Sequence, residues 1–410
     1  MSISAIPSEK PERSQPPHVL TLPLPANVTG ELAAEIEKQS VYVSPAINRM
    51  RVSRECSKVL VELTGRDDGA STAKAERFLA SMLASLDREV EAKVLVHNRR
   101  KNSAPLERHV YQKLIQYGWV VELGHGQVAL SGPALELARK ISAICANLGR
   151  DAFGGIEREY PTLIPSEALA RCGYISSFPQ NLSMVTRLRE DFDGIETFRR
   201  ANSENRTLHI PKAEAVVHPE ACLCPALCYH CYPTLTGKKL KATGHVETSI
   251  GRICRYESSN ITGLDRLWEF TQRSIIWVGD DTFCTKLRQR AIDAAALQLE
   301  EWDIEATIET ASDPFFASVT TAKSLWQRSQ DLKFELRPVV EQGAHTPRRT
   351  IAAASFNLHG PYFGNAFDIQ SSDDEPASSG CVSWGLERWV LVVFTQHGFD
   401  PRNWPAALRV

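Results

Sequence analysis

Four stretches of the chain carry side chains suited to chemistry. Over residues 251–279 stand Arg255, Glu257, Arg266, Glu269 and Arg273. A guanidinium grips a phosphate or carboxylate through parallel hydrogen bonds, and a carboxylate can hold a metal ion or an amine. Two apolar, strand-like runs (252–257 and 268–278) flank a polar turn containing Gly263. On an extended backbone Arg255 and Glu257 project to one face. A salt-bridged antiparallel hairpin accounts for the same residues without a ligand. Cys222, Cys224, Cys228 and Cys231 are spaced Cys-x-Cys-x₃-Cys-x-x-Cys with His230 among them. They fit part of a metal site, or equally a strand with small buried thiols. Asn357 and His359 share a strand face ahead of a bend marked by Gly360 and Gly364. That amide can bond a small polar substrate or satisfy backbone groups. Finally, Gly385 lets a strand approach a ligand closely, and Arg388 opens the following helix, a good position for polyphosphate.

The elements that must position these residues read as α+β. The 410 residues suit one large domain with an appendage, and 43% hydrophobic and 23% charged residues are ordinary globular values. A net charge of −2 exerts no global pull on nucleic acid. The basic segment Arg99, Arg100, Lys101, Arg108 and Lys113 has no interleaved aromatics and reads as a solvated face. Ten cysteines in so long a chain suggest reduced thiols or metal ligands. No apolar run approaches a membrane span and the start is not signal-like, so a cytoplasmic protein is expected. Residues 1–20 read as a disordered lead and 64–69 as a turn. Helices are expected over 31–39, 71–90, 110–117, 133–148 and 285–303. Extended pieces are expected over 41–43, 58–63, 119–123, 128–130, 159–165, 215–217, 304–308, 333–339, 351–358 and 366–369. A loop-rich excursion covers 187–212, an acidic loop 371–380, and the end reads strand, glycine, helix. Gly124-x-Gly126 lacks the third glycine of a dinucleotide loop, and no phosphate-loop motif occurs.

Taken together, Arg255-x-Glu257, Arg266 and Gly385-x-x-Arg388 resemble motifs two and three of class II aminoacyl-tRNA synthetases, with Pro161 matching the proline of motif one. The closer resemblance is to truncated, seryl-synthetase-like amino acid:carrier protein ligases, with methanogen-type seryl-tRNA synthetases next. It rests on Cys-Gly-Tyr-Ile-Ser-Ser-Phe-Pro-Gln (172–180), Pro-Ala-Leu-Cys-Tyr-His-Cys-Tyr-Pro (225–233), Asp-Pro-Phe-Phe (313–316) and Gln-Asp-Leu-Lys-Phe-Glu-Leu (330–336). Ser-Phe-Asn-Leu-His (355–359), Gly-Cys-Val-Ser-Trp-Gly-Leu-Glu-Arg (380–388) and Gln-His-Gly-Phe-Asp-Pro-Arg-Asn-Trp-Pro (396–405) extend it, in order, over roughly 130–410.

The resemblance implies a class II catalytic core over 131–410, an antiparallel sheet flanked by helices, behind a small α+β N-terminal appendage over 21–130. It implies a ligase that activates an amino acid with ATP and Mg²⁺ as an aminoacyl-adenylate and passes it to the phosphopantetheine thiol of a carrier protein. Arg255 would hold the α-phosphate and Arg388 the γ-phosphate. Glu257 and Arg266 would belong to the ATP site, Glu335 to the Mg²⁺ region, and Asn357 to the substrate. In this family zinc binds the amino acid's amino group through a Cys, Glu, Cys set; Cys228 and Cys381 match the cysteines. Ser274 stands where the glutamate is expected, after Arg273. Zinc held by Cys228, Cys381 and a substitute such as Cys231 or His230, weak zinc, and no zinc are all open. A seryl-type tRNA ligase and a non-catalytic synthetase-like binding protein are the alternative functions. A homodimer is expected from motif one.

Overall fold

A computed structural model describes residues 18–26, 28–64, 69–83, 92–204, 207–210, 212–311, 313, 330–343 and 346–410. Most of the proline-rich lead, the turn residues 65–68, the end of the 71–90 helix and residues 314–316 of the Asp-Pro-Phe-Phe motif lie outside them.

By contacts the chain divides at residue 90 into two units, so residues 92–130 belong to the second. The first unit runs β1 (His18–Pro23), α1 (Gly30–Gln39), β2 (Ile47–Val52), β3 (Lys58–Leu63) and α2 (Ala70–Leu83). Its sheet order is β1-β3-β2, antiparallel throughout. Thr29 caps α1 by accepting from the Leu32 amide. Ile36, Met50, Val59, Val61, Leu79 and Met82 close its own core. Residues 40–42 form a 3₁₀ turn continuing from α1, not the extended piece expected there.

The second unit begins with β4 (Val94–Asn98), α3 (Val110–Gln116), the hairpin β5 (Val120–Gly124) and β6 (Gln127–Leu130), and α4 (Gly132–Asn147). Next come β7 (Ile156–Glu159), β8 (Leu163–Pro165), α5 (Ser166–Arg171), α6 (Tyr174–Ser177), β9 (Met184–Val185), α7 (Phe192–Asn202), β10 (Ala221–Leu223) and α8 (Cys228–Thr234). The long strands β11 (His245–Cys254) and β12 (Glu269–Gly279) precede α9 (Asp281–Glu301) and β13 (Ala306–Thr310). The chain ends with β14 (Lys333–Gly343), β15 (Thr346–Thr350), β16 (Ala354–Gly360), α10 (Tyr362–Phe367), β17 (Ser378–Gly385) and α11 (Leu386–His397). The main sheet runs β4-β13-β14-β16-β17-β12-β11-β7, with β15 paired to β14. All its pairs are antiparallel except β7 with β11.

Alternation along the strands gives this sheet two unlike faces. Ala354 and Phe356 of β16, Val382 and Trp384 of β17, and Ile275 and Trp277 of β12 enter one core with residues of α4, α9 and α11. The intervening Ser355, Asn357, Cys381, Ser383, Gln272 and Ser274 therefore share the opposite face. Within the core Trp302 and Trp389 meet edge to face at 5.1 Å. Gly380 allows β16 and β17 to close up, since a Cβ there would lie 2.6 Å from the Asn357 carbonyl oxygen.

Three local expectations are corrected. The excursion at 187–212 contains α7, capped by Asp191 and without a buried residue, so no core-facing periodicity marks it. Residues 362–367 are helical, which takes the first half of the 366–369 strand, and only Gln370 beyond it makes isolated bridges. The cysteine cluster is not one strand: Cys222 lies on β10, while Cys228 and Cys231 lie a turn apart on α8.

Candidate active site

β11 ends at Cys254, so Arg255 and Glu257 sit past the strand, in a bend that leads to a 3₁₀ turn with Ser258 at positive φ. The bend draws them together with residues distant in sequence. Arg255 donates through Nε to the Pro225 carbonyl at 2.8 Å, and Arg266 donates through Nη1 to Glu257 at 2.6 Å. Arg388, at the start of α11, is anchored by the carbonyls of Asp265 and Ala352, each at 2.8 Å. The Arg255 and Arg388 guanidiniums lie 5.9 and 5.7 Å from the ring centre of Phe270. Burial pushes the Arg388 pKa below its ordinary value; Glu257 opposes that, and Arg266 and Arg255 add to it. Arg255, Arg266, Glu257 and Arg388 thus form one electrostatic group, and two of its guanidiniums approach the Phe270 ring. Such a group can hold a planar base against Phe270 and a chain of phosphates against the guanidiniums.

A second group lies further along the same face. The thiols of Cys228 and Cys381 are hydrogen-bonded to each other. Asn357 donates to Ser355 Oγ at 3.2 Å and to Cys381 Sγ at 3.5 Å. His359 meets Ser379 Oγ at 3.0 Å and Tyr232 Oη at 3.3 Å through Nδ1. The Cys228 thiol, His359 and Asn357 together hold the Cys381 pKa well below the ordinary thiol value against burial. Cross-strand register sets Ser249, Ser274, Ser383, Ser355 and Glu335 in one row across β11, β12, β17, β16 and β14. In that row Ser274 Oγ and Ser383 Oγ share a hydrogen bond of 2.7 Å, both within the sheet's buried surface. Two thiols and a hydroxyl already bonded to a second hydroxyl lack the carboxylate of the zinc set that the resemblance implies, and they do not complete it.

Glu335 stands at the row's far end with both oxygens engaged, by Lys333 at 3.1 Å and Arg337 at 2.7 Å. Burial opposes its ionisation, but Lys333 and Arg337 override burial and hold its pKa below the ordinary carboxylate value. Lys333 is itself buried and also bonds Asp313 at 2.7 Å. Arg273, next to Ser274, points to the other face, where it meets Glu157 at 3.0 Å and Ser142 at 3.2 Å.

Phe270, Gln272 and Lys333 escaped the sequence reading. Gln272 accepts from the Leu227 amide at 3.0 Å and thereby seats the start of α8. Their signal was available: Phe270 and Gln272 precede Ser274 at intervals of two on one strand, and Lys333 precedes Glu335 likewise.

No family model matches the chain. An amino acid–[acyl-carrier-protein] ligase of Bradyrhizobium diazoefficiens is 31% identical over 255 residues, 61% of this chain and 74% of that protein. A type-2 serine–tRNA ligase of Methanococcus maripaludis is 24% identical over 399 residues, 92% of this chain and 77% of that protein. Among solved structures, the M. kandleri seryl-tRNA synthetase crystallised with A. aeolicus tRNASec superposes with a TM-score of 0.70 at 21% identity, covering 96% of this chain and 77% of that one. That likeness establishes the class II seryl-synthetase fold.

Proposed function

The chain belongs to the family of the amino acid–[acyl-carrier-protein] ligases, and on that premise we propose that it activates an amino acid with ATP and transfers it to the phosphopantetheine thiol of a carrier protein. The convergence of Arg255, Arg266, Glu257 and Arg388, with Phe270 beside two of the guanidiniums, carries this reading. ATP lies with its base on Phe270, and Glu257 accepts from the adenine side. Arg255 holds the α-phosphate and Arg388 the γ-phosphate. A carboxylate oxygen of the amino acid attacks the α-phosphorus, and the bond to the bridging oxygen breaks to release pyrophosphate. Arg255 stabilises the charge that builds on the equatorial oxygens at that moment. The carrier thiolate then attacks the carbonyl carbon of the adenylate, and AMP leaves with the bond's electron pair.

Glu335, kept ionised by Lys333 and Arg337, is the carboxylate assigned to ATP-bound Mg²⁺; the ion would take the place of one of those two cations. Asn357 contacts the bound amino acid through its amide beside Cys381, and Ser274 reaches it only by giving up its bond to Ser383. The protein works as a homodimer in the cytoplasm.

A specific observation supports a second reading, a seryl-type tRNA ligase: the Methanococcus relative aligns over almost the whole chain, so the likeness takes in much of the N-terminal unit. A third, a non-catalytic synthetase-like protein, rests on Ser274. Amino-acid-dependent pyrophosphate exchange, followed by mass measurement of a phosphopantetheinylated carrier and of total tRNA after incubation, separates them. Exchange with loading of the carrier is expected. Loading of tRNA alone would select the second reading, and no exchange with any amino acid would remove the first. Arg255→Ala should lower exchange about 10²- to 10³-fold, the usual loss for one donor to a developing charge.

A further inference from the structure

Outside the groups described above, three potential metal ligands converge. They are Cys231 on α8 with His245 and Glu247 on β11, whose ligand atoms all lie within 4.8 Å of one another. We propose that these residues form a divalent-metal site of the zinc class, separate from the Cys228–Cys381 pair. A thiolate, an imidazole and a carboxylate are donors that tetrahedral Zn²⁺ accepts, and three protein ligands leave one position open.

The surroundings suit a ligand set. Cys231 and Glu247 are fully buried, whereas the His245 side chain keeps 16% of its surface exposed, so an ion can enter from the ring's side. Tyr160 donates to Glu247 Oε1 at 2.7 Å, and Arg158 Nε stands 3.1 Å from Oε2. Such outer partners fix the orientation of a ligating carboxylate. His245 Nε2 lies 3.0 Å from the same Oε2, and the Cys231 thiol also bonds this carboxylate. A buried carboxylate held by Arg158 and Tyr160 gains little from a thiol, which is a weak donor. Its placement against Glu247 is better explained by an ion that bridges the two. On binding, the thiol proton leaves to solvent and His245 ligates as neutral imidazole. Thiolate and carboxylate then balance the charge of the ion.

Register explains the position. Ile276 of β12 pairs with Glu247 on one side and with Cys381 on the other. The carboxylate missing at Ser274 therefore stands one strand away, and Cys231, one turn along α8 from Cys228, faces it. The proposal goes beyond the ligase reading and does not depend on it, because its test reads bound metal and not turnover.

The test is cobalt titration of the full-length protein after chelation. About one equivalent of Co²⁺ should bind, with a sulfur-to-cobalt charge-transfer band and tetrahedral visible bands. Cys231→Ser and His245→Ala, each checked for folding by its melting curve, should lose the charge-transfer band or the tetrahedral bands. The double variant Cys228→Ser, Cys381→Ser should keep both. Absence of cobalt binding by the folded wild type overturns the proposal. So does a spectrum lost in the double variant and unchanged in His245→Ala. Should Cys231→Ser fail to fold, the partly exposed His245 and the wild-type titration still decide.

Discussion

Replacing Ser274 with glutamate supplies the carboxylate that the family's zinc set contains, and its cost can be worked from the structure. Ser274 is fully buried, with its hydroxyl bonded to Ser383. The substitution removes that bond, worth about 1 kcal/mol, and overfills the site by about 1–3 kcal/mol. The charge adds a third cost, and this one depends on pH. Burial raises the folded-state pKa of the new carboxyl, so it escapes desolvation by taking a proton. From an unfolded value of about 4.3, protonation costs about 3.7 kcal/mol at pH 7 but only about 1 kcal/mol at pH 5. Between those values the folded state binds more protons than the unfolded one, so stability falls as pH rises, and the deficit of Ser274→Glu against wild type must grow. The growth of about 2.7 kcal/mol corresponds to about 3–4 °C in melting temperature for a domain of this size. Zinc bound between Cys228, Cys381 and the new carboxylate would make protonation unnecessary and should restore most of that interval at pH 7. Calorimetric melts of both proteins at pH 5 and 7, with chelator and with zinc, read all of this. An equal deficit at both pH values, or no zinc-dependent recovery, refutes the placement of Ser274 as a buried position on the face of the thiol pair.

Phe270→Ala should raise the KM for ATP about 5- to 150-fold, from lost stacking of about 1–3 kcal/mol, with a smaller change in kcat; an unchanged KM would remove Phe270 from the base site. Lys333→Met removes the buried cation that pairs with both Asp313 and Glu335, so urea unfolding should show a loss of about 3 kcal/mol. Glu335 has a lowered pKa in the folded protein, so the stability it contributes is present above about pH 4.3 and is lost as pH falls below that. Glu387 is buried and accepts from the Thr271 amide and hydroxyl, and burial raises its pKa despite these bonds. Its stabilising contribution is complete below about pH 4.3 and declines as pH rises through the folded value. Glu387→Gln should therefore gain on wild type in paired melts as pH increases; a variant that loses ground to wild type as pH increases would contradict the shift.

The sequence exposed what depends on local pattern. Long strands with period two, the helix at 281–301 and the strand–glycine–helix ending were legible because alternation and capping act within a few residues. Motif spacing was equally legible, and the structure brings Arg255, Glu257, Arg266 and Arg388 to one place. Local pattern fails where register decides. Alternation alone puts Arg255 and Glu257 on a strand, because nothing local shows that β12 and the 3₁₀ turn at Ser258 end the ladder at Cys254. The convergence of Cys231 with His245 and Glu247 depends on how α8 lies against β11, a contact between separate segments. Helix α7 was missed for the opposite reason: with no residue buried, it has no apolar stripe to detect.

The serine row has a consequence for how the site can be altered. Adjacent strands lie about 4.8 Å apart, so Ser249 and Ser355, three strands removed, are separated by about 14 Å. Ser249 Oγ is buried without a hydrogen-bond partner among the described residues, whereas Ser274 and Ser383 are bonded to each other. Substitutions at Ser249 and Ser355 should therefore add independently, and changes at Ser274 and Ser383 should be strongly coupled. The row can therefore be altered at its two ends one residue at a time, while its middle changes only as a pair.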